Sequence, residues 1–295
     1  MKIDKNIVIA ALARDCEKSL PMMIELIERL RLHFVWSHVV VVENDSKDKT
    51  KEILFDWETR KPNVKIISKD YGTLTIPLKS AEEVEPLVSF HRIEKMVTYR
   101  NIYLNYITKL EKDIDNVVVV DIDIESFSVD GVIAAIEKSN GNCGAIFANG
   151  FTFKIFLGSF YSKIFYDVFA VHEYPLKKAF SCTEKSLYRT RKSVMANLMK
   201  CDWYRVISAF GGLAVYNYGA ISNLRYKVVP NAANINEAVC EHIPFNTEIV
   251  KLGYENFISR NMEVVYGKHS LGSILHYYLD ERFFNFLFKI SRIFK

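Results

Sequence analysis

Two aspartates, Asp121 and Asp123, directly follow the apolar run Val117–Val120. Successive side chains of an extended chain point to opposite faces, so residues two positions apart point to the same face. Both carboxylates can therefore approach one divalent cation. Mg²⁺ or Mn²⁺ held in this way would neutralise the charge that develops on a departing diphosphate. Because Asp-x-Asp is frequent by chance, the alternative interpretation is a solvated turn at a strand end. The preceding valines indicate a buried strand and therefore favour a metal site.

An acidic turn follows a second apolar run, Val39–Val42, and contains Glu43, Asn44 and Asp45. Carboxylates in such a turn suit the hydroxyls of a ribose or the amides of a base. Asp45 or Ser46 is also a suitable N-cap for the next helix. Both roles are compatible, because a cap and a ligand contact can share one turn.

Arg100 lies at the centre of a predicted helix face that is otherwise apolar. The apolar residues of that face are Ile93, Met96, Val97, Leu104 and Ile107. Burying an unpaired guanidinium is costly, so Arg100 needs an anionic partner, either a carboxylate such as Asp121 or a phosphate of a ligand. The sequence leaves both an internal ion pair and a ligand contact open.

Two short motifs in the second half of the chain are further candidates. Gly211 and Gly212 precede an apolar run, where glycines permit a tight turn or a close approach of the backbone to a ligand. Glu241 is a candidate general base or acceptor contact, and neutral His242 is a candidate metal ligand. A surface Glu-His pair is the alternative, and Glu237 is a competing carboxylate.

The elements that position these residues alternate between strand and helix in the first half of the chain. Predicted strands are Ile7–Leu12, Val39–Val42, Val64–Ser68 and Val117–Val120, and predicted helices are Glu17–Leu32 and Ser46–Trp57. This alternation predicts a doubly wound α/β fold with a mostly parallel sheet, whose ligands bind at the carboxyl ends of the strands. The less regular second half adds predicted strands at Ala145–Ala148, Leu213–Tyr216 and Tyr226–Val229.

Composition excludes several classes of protein. The chain has 295 residues, 49% hydrophobic and 25% charged, which is enough apolar material for a large core. The net charge of +4 is spread along the chain, so we expect no nucleic-acid partner. Five cysteines without a CxxC pair predict reduced thiols in a cytoplasmic protein. We expect neither a signal peptide nor a transmembrane span.

The last residues, 275–295, combine many aromatic side chains with lysines and arginines. A basic, aromatic helix of this kind can lie at a membrane interface and be attracted to anionic lipid. It can equally pack on the core of the protein or on a second subunit. We therefore predict a C-terminal amphipathic helix over 271–295, with peripheral membrane contact on the inner face as one of its roles.

The acidic turn ENDSKDKT and the DID triplet resemble the family-2-like glycosyltransferases of the GT-A fold, over about residues 6–125. More narrowly, the chain resembles the fungal capsule-type α-1,3-mannosyltransferases and their bacterial relatives in polysaccharide biosynthesis. The shared features are Arg14, the Arg100-Asn101 pair, DID, FGGLAVY and CEH. The resemblance implies a single GT-A catalytic domain over 1–270, with a nucleotide-sugar-binding half over 1–125 and an acceptor half over 126–270.

The resemblance also implies transfer of a sugar from a GDP- or UDP-sugar to a glycan or lipid-linked acceptor, with retaining α-mannosyl transfer as a specific expectation. Asp123 and His242 would bind Mn²⁺ or Mg²⁺, and Asp121 and Glu241 would act in catalysis. The residues that would contact the donor are Arg14, Glu43, Asn44, Asp45, Arg100, Asn101, Gly211 and Gly212. The chain lacks the ED and QxxRW signatures of family 2. The resemblance therefore supports the assignment of the catalytic base less than it supports the other roles.

Two rival functions remain. A phosphatase of the haloacid dehalogenase type also places D-x-D at a strand end, but that motif normally follows the first strand, and Glu125 stands where Thr or Val is usual. An inactive GT-A-like scaffold that binds glycans or partner proteins is the non-enzymatic alternative. Such a scaffold would show no metal-dependent binding of a nucleotide-sugar.

Overall fold

A computed structural model describes residues 2–72, 88–156, 160–175, 184–231 and 234–267. Its helices are α1 (Leu20–Arg31), α2 (Thr50–Arg60), α3 (Phe90–Ile107), α4 (Val129–Lys138), α5 (Glu184–Leu198), α6 (Tyr218–Ile221) and α7 (His242–Lys251). The strands of the first half are β1 (Ile3–Ala13), β2 (Phe34–Asn44), β3 (Val64–Lys69), β4 (Asn116–Asp121), β5 (Ser126–Phe127) and β6 (Cys143–Phe156). Those of the second half are β7 (Phe160–Phe165), β8 (His172–Glu173), β9 (Trp203–Ser208), β10 (Leu213–Asn217), β11 (Pro230–Asn231), β12 (Asn234–Ala238) and β13 (Glu255–Val265).

One large sheet organises the described part of the chain, in the order β3-β2-β1-β4-β10-β6-β13-β9-β8. Its first four strands are parallel, and within this order β10 and β9 run against the common direction. β5 pairs antiparallel with β13, and β7 pairs antiparallel with β6. β-Branched residues fill β1, β2 and β4, as expected of strands that are buried on both faces. The predicted α/β fold with a mostly parallel sheet is confirmed.

Helices cover both faces of this sheet, so alternate residues of a central strand contribute to two separate cores. In β1, Ile7 and Ile9 belong to the core that α1, α2 and α4 cover. Val8 and Ala10 belong to the core that α3, α5 and α7 cover. The period of two along the strand therefore divides one apolar run between two layers.

β10 connects the two halves of the sheet. It comes late in the chain but inserts antiparallel between β4 and β6. The turn that precedes β10 therefore lies beside the end of β4, and the backbone N–H of Asp121 donates to the carbonyl of Gly212 at 2.9 Å. Sheet topology thus brings the FGG motif to the DID motif, although about ninety residues separate them in sequence.

Two predicted elements differ from the structure. The second helix was expected from Ser46, but α2 begins at Thr50. Residues 46–49 form a turn in which the Lys47 N–H donates to Asp15 Oδ1 at 2.7 Å and the Thr50 N–H donates to Asp48 Oδ1 at 2.9 Å. The expected strand Tyr226–Val229 is irregular. The side-chain amide of Asn101 both donates to the Tyr226 carbonyl and accepts from its N–H, so these groups are not available for a sheet.

The predicted C-terminal helix over 271–295 lies outside the described residues. Within the described ranges, no helix has the length and apolar composition needed to cross a lipid bilayer.

Candidate active site

A cavity of about 770 Å³ opens at the carboxyl ends of β1, β2 and β4, where the strand-end rule places a ligand site. Its walls include the DID motif, the α3 face that carries Arg100, and the start of α7. Nine side chains in these walls are carboxylates or guanidiniums. They are Arg14, Asp15, Arg92, Arg100, Asp121, Asp123, Asp167, Arg191 and Glu241.

The acidic turn after β2 is held rigid by its own carboxylate. Asp45 accepts hydrogen bonds from the backbone N–H groups of Tyr71 and Gly72, both at 2.7 Å. Burial would raise the pKa of Asp45, but hydrogen bonds from Asn44 and from these two N–H groups outweigh it and lower the pKa. Asn44 lines the cavity, and Arg14 reaches Asp45 at 4.0 Å. The turn thus presents the Asn44 side chain to the cavity, while the Asp45 carboxylate is buried and does not line it.

Glu43 and Asn101 do not reach the cavity wall. Glu43 is fully buried, accepts a short hydrogen bond from the Ser68 hydroxyl and accepts another from the Ser46 N–H at 2.9 Å. Asn101 is occupied by the backbone of Tyr226. In the described structure both residues therefore support the walls of the site.

Arg100 has the anionic partner that its buried position requires. Its Nε donates to Glu241 Oε1 at 2.9 Å, and its Nη2 lies 4.0 Å from Asp121 Oδ1. Both side chains of the Arg100–Glu241 pair are at most 5% exposed. Burial would raise the pKa of Glu241, but the charge of Arg100 outweighs it and holds the pKa at about 2. Glu241 is therefore a firmly ionised structural partner.

The two carboxylates of the DID motif are unequal. Asp123 is exposed, whereas Asp121 is half-buried and accepts a hydrogen bond from the Tyr266 hydroxyl at 3.1 Å. Burial, followed by repulsion from Asp123, raises the pKa of Asp121 to about 7. A cation between these carboxylates would relieve that repulsion.

The donor set fits a hard divalent cation that a ligand helps to hold. Within the described ranges, no three side chains of His, Cys, Asp or Glu form a complete metal cage. Mg²⁺ and similar ions are commonly held by one or two carboxylates together with substrate phosphates, and a full protein cage is not needed. Asp121 and Asp123 on the cavity wall match that arrangement.

His242 lies in the same wall in its neutral form. Burial and then the charge of Arg100 lower its pKa to about 3. Its ring stacks on Phe210 with centroids 4.1 Å apart, and neither ring nitrogen has a hydrogen-bond partner among the described residues. A neutral imidazole is the form that binds metals. Its role as a metal ligand stays a prediction.

Asp167 is a further carboxylate of the cavity wall, and no sequence motif had indicated it. Its Oδ2 accepts a hydrogen bond from the Gly211 N–H at 3.2 Å, so it meets the FGG turn beside Asp121. Burial raises the pKa of Asp167 to about 6. A single acid inside the apolar stretch IFYDVFAV was the available signal, because a charge in such a stretch needs a reason.

Gly211 and Gly212 shape the turn that joins Asp121 to Asp167, with φ values of 65° and 83°. A Cβ on Gly211 would lie 2.3 Å from the Ala148 carbonyl oxygen. Gly211→Ala should therefore lower the free energy of unfolding by about 2 kcal/mol or more, through strain and overpacking together. Gly253→Ala is the matched control, because Gly253 has a φ of 94° and open space around the added Cβ.

Urea unfolding of the two glycine variants measures the difference. We expect the control to lose about 1 kcal/mol from backbone strain alone. Equal losses for Gly211→Ala and Gly253→Ala would show that the close approach of the turn to Ala148 contributes nothing.

Residues 6–246 match the model of the family described as cryptococcal mannosyltransferase 1. The chain belongs to this family. The predicted resemblance to the fungal mannosyltransferases is confirmed. No curated protein matches the sequence significantly.

Solved structures similar to this family member include the mannosyltransferase PcManGT from Pyrobaculum calidifontis, in complex with GDP-Man and Mn²⁺. The sequences are 13% identical, the TM-score is 0.50, and the match covers 92% of this chain and 59% of that chain. This likeness shows the GT-A fold, which confirms the predicted fold. The chain thus spans 59% of the length of that mannosyltransferase.

Two further structures have lower TM-scores. TarS 1–349 from S. aureus is 12% identical with a TM-score of 0.44, and the match covers 92% of this chain and 59% of that chain. Glucosyl-3-phosphoglycerate synthase from Mycobacterium tuberculosis, in complex with Mn²⁺, UDP and glucosyl-3-phosphoglycerate, is 9% identical with a TM-score of 0.44. That match covers 92% of this chain and 75% of that chain.

Proposed function

We propose that this chain is a metal-dependent glycosyltransferase that moves a sugar from a nucleotide-sugar to a glycan or lipid-linked acceptor in polysaccharide synthesis. The observation that carries the proposal is one cavity at the strand ends, which joins the DID carboxylates to Arg100 and the Asn44 turn. Family membership and the GT-A fold support it. The small net charge of +4 is spread along the chain and does not support a nucleic-acid partner.

Asp123 and Asp121 would hold Mn²⁺ or Mg²⁺, with His242 as an additional ligand on the same wall. When bound, the cation supplies positive charge that stabilises the departing nucleoside diphosphate. The carboxylates that fit the ion are those that repel each other without it.

The residues of the chain divide the remaining tasks. Arg14 lines the cavity beside the turn of Asn44 and Asp45, so it would bind donor phosphate while the turn binds the nucleoside. Arg100, whose charge is held by Glu241, would add fixed positive potential next to Asp121. The FGG turn would set the distance between donor sugar and acceptor.

Asp167 is a better candidate for the base than Glu241. Glu241 is 3% exposed and committed to Arg100, so it cannot take a proton without breaking a buried ion pair. Asp167 lies on the wall of the cavity, and its pKa of about 6 suits proton transfer near neutral pH. We therefore assign activation of the acceptor hydroxyl to Asp167 and assign Glu241 to positioning of Arg100.

Asp167→Asn should lower turnover by about 100-fold, because general-base assistance is worth at least that factor. Nucleotide affinity in the presence of Mn²⁺ should stay the same. Steady-state kinetics and a nucleotide titration measure the two effects. Glu237→Gln is the control, since Glu237 bonds to Asn231 and does not line the cavity. Wild-type turnover in Asp167→Asn would return the role of base to another group.

The family description supports a choice of donor. We propose retaining transfer of α-mannose from GDP-mannose, in line with the family description, with UDP-sugars as the alternative donors. In this step the bond from the sugar to the diphosphate breaks, the acceptor oxygen attacks from the same face, and Asp167 takes the proton of the acceptor hydroxyl. A cytoplasmic location, and membrane contact through residues 275–295, stay predictions. A phosphatase or an inactive scaffold is the rival outcome.

The experiment is an assay of sugar transfer. The protein is incubated with GDP-mannose, UDP-glucose or UDP-N-acetylglucosamine, a panel of oligosaccharide acceptors, and Mn²⁺ or EDTA. We expect release of nucleoside diphosphate and a lengthened oligosaccharide with one donor, only with metal. Release of inorganic phosphate from small phosphomonoesters without any transfer would favour the phosphatase.

A further inference from the structure

α5 carries a charged residue in its buried face. Leu187, Arg191, Val194 and Leu198 recur at helical spacing, and Val194 and Leu198 are at most 4% exposed. α5 packs through this face on β7 and β9. Arg191 is partly exposed, whereas Arg100 on α3 is buried, but it also lies on a face whose other residues are apolar.

The two arginines differ in their partners. Arg100 is paired with Glu241, whereas Arg191 forms no ion pair with any carboxylate of the described residues. Its Nε donates to the Phe165 carbonyl at 2.8 Å, and the side chain lines the cavity. Burial without a compensating charge lowers the pKa of Arg191. Among the described residues, no carboxylate thus forms an ion pair with this guanidinium at the cavity wall.

Arg191 lies away from the nucleotide side of the cavity. Asn44 and Arg14 follow β2 and β1, near one end of the sheet order, and the DID motif follows β4. α5 contacts β9, which lies in the second half of the order, and β7, which pairs with β6. If the nucleoside of the donor lies at Asn44 and its diphosphate lies at Asp123, the part of the cavity near Arg191 is available to the acceptor.

Arg191 is also close to the candidate base. Its Nε is anchored on Phe165, and Asp167 is two residues further along the chain. Two residues span at most about 7 Å of backbone, so the carbonyl that anchors Arg191 lies within about the length of one sugar from the backbone of Asp167. Both side chains line the cavity. An acceptor with its reacting hydroxyl at Asp167 would place its own substituents, or those of the next sugar, at Arg191.

We propose that Arg191 binds an anionic group of the acceptor, a carboxylate or a phosphate carried by the accepting sugar chain. This inference rests on the proposed function. The planar guanidinium suits both anions, and the apolar neighbours Leu187 and Ile164 strengthen its attraction by excluding water. The enzyme would thus select an acidic glycan over a neutral one of the same shape.

Two matched pairs of sugars test the proposal by ligand-observed NMR titration of the full chain, with and without GDP and Mn²⁺. One pair is methyl mannoside and its 6-phosphate, and the other is methyl glucoside and methyl glucuronoside. We expect the anionic member of at least one pair to bind about 10- to 100-fold more tightly, as a charge-assisted hydrogen bond predicts. The pair that shows the preference identifies the anion as phosphate or carboxylate.

Three variants locate the preference. Arg191→Gln should remove it and leave the affinity for the neutral sugar and for GDP within about twofold. Arg189→Gln, an exposed arginine of the same helix, should keep it. Arg191→Lys retains the charge and loses the fixed Nε bond to Phe165, so it should restore part of the preference. Equal loss in the lysine and glutamine variants, with weaker binding of neutral sugar, would indicate a structural role and overturn the proposal.

Failure of this inference can be told apart from failure of the proposed function. If the wild type binds GDP with Mn²⁺ but shows no anion preference, the acceptor proposal is wrong and the function stands. If GDP affinity falls in Arg191→Gln, the cation serves the donor and the proposal is again wrong. If GDP never binds, the proposed function fails, and the sugar titrations alone still decide whether Arg191 binds anions.

Discussion

Asp123→Asn should lower the rate of sugar transfer by about 10³-fold, because it removes one of the two carboxylates that face the expected cation. Asparagine keeps the size of the side chain and a carbonyl oxygen but loses the charge. Electrostatic stabilisation of a developing anion by one positioned group is worth about two to three orders of magnitude, and a metal ion contributes several kcal/mol. Asp123 is exposed, so the fold should persist.

The loss in Asp123→Asn should depend on the metal. Steady-state rates across a range of Mn²⁺ concentrations, together with thermal melting, separate activity from folding. Asp130→Asn is the control, because Asp130 is exposed at the start of α4 and does not line the cavity. Full activity of Asp123→Asn at low Mn²⁺ would show that Asp123 does not hold the metal ion.

Arg100→Leu should lower the free energy of unfolding by about 3–5 kcal/mol, since it leaves the Glu241 carboxylate buried without a counter-charge. The double variant Arg100→Leu/Glu241→Leu should recover much of that loss, because an apolar pair of similar volume needs no compensation. Urea unfolding of the two single variants and the double variant gives the coupling energy directly.

An exposed ion pair provides the control for this cycle. Arg205 and Glu255 are also 2.9 Å apart, but their side chains are 41% and 39% exposed. Leucine at Arg205 should lower stability by at most about 1 kcal/mol. If Arg100→Leu costs no more than Arg205→Leu, the burial of the Arg100–Glu241 pair has no energetic consequence.

Local patterns were sufficient to predict that the DID motif lies at the ligand-binding edge of the sheet and that Arg100 needs an anionic partner. The valines before Asp121 mark a buried strand, and strand ends collect ligands, so no long-range information was required. The same reasoning placed Asn44 at the cavity. These predictions depend on residues that are neighbours in sequence.

Pairings across the fold were beyond local patterns. Arg100 meets Glu241, which is 141 positions away, because α3 and the start of α7 cover the same face of the sheet. Asp167 meets Gly211 because β7 pairs with β6 while β10 inserts beside β4. Periodicity reports which face of an element is buried, and it does not report which element covers that face.

Calorimetric titration of the protein with GDP-mannose, with Mn²⁺ and with EDTA, measures whether donor binding depends on the metal. We expect binding in the presence of Mn²⁺ to be at least about tenfold tighter than in EDTA, and we expect Asp123→Asn to lose that difference. Mn²⁺-dependent binding of UDP-glucose in place of GDP-mannose would change the donor and preserve the proposed function. Folded protein that binds none of these nucleotide-sugars, or binds them equally with and without Mn²⁺, would contradict it.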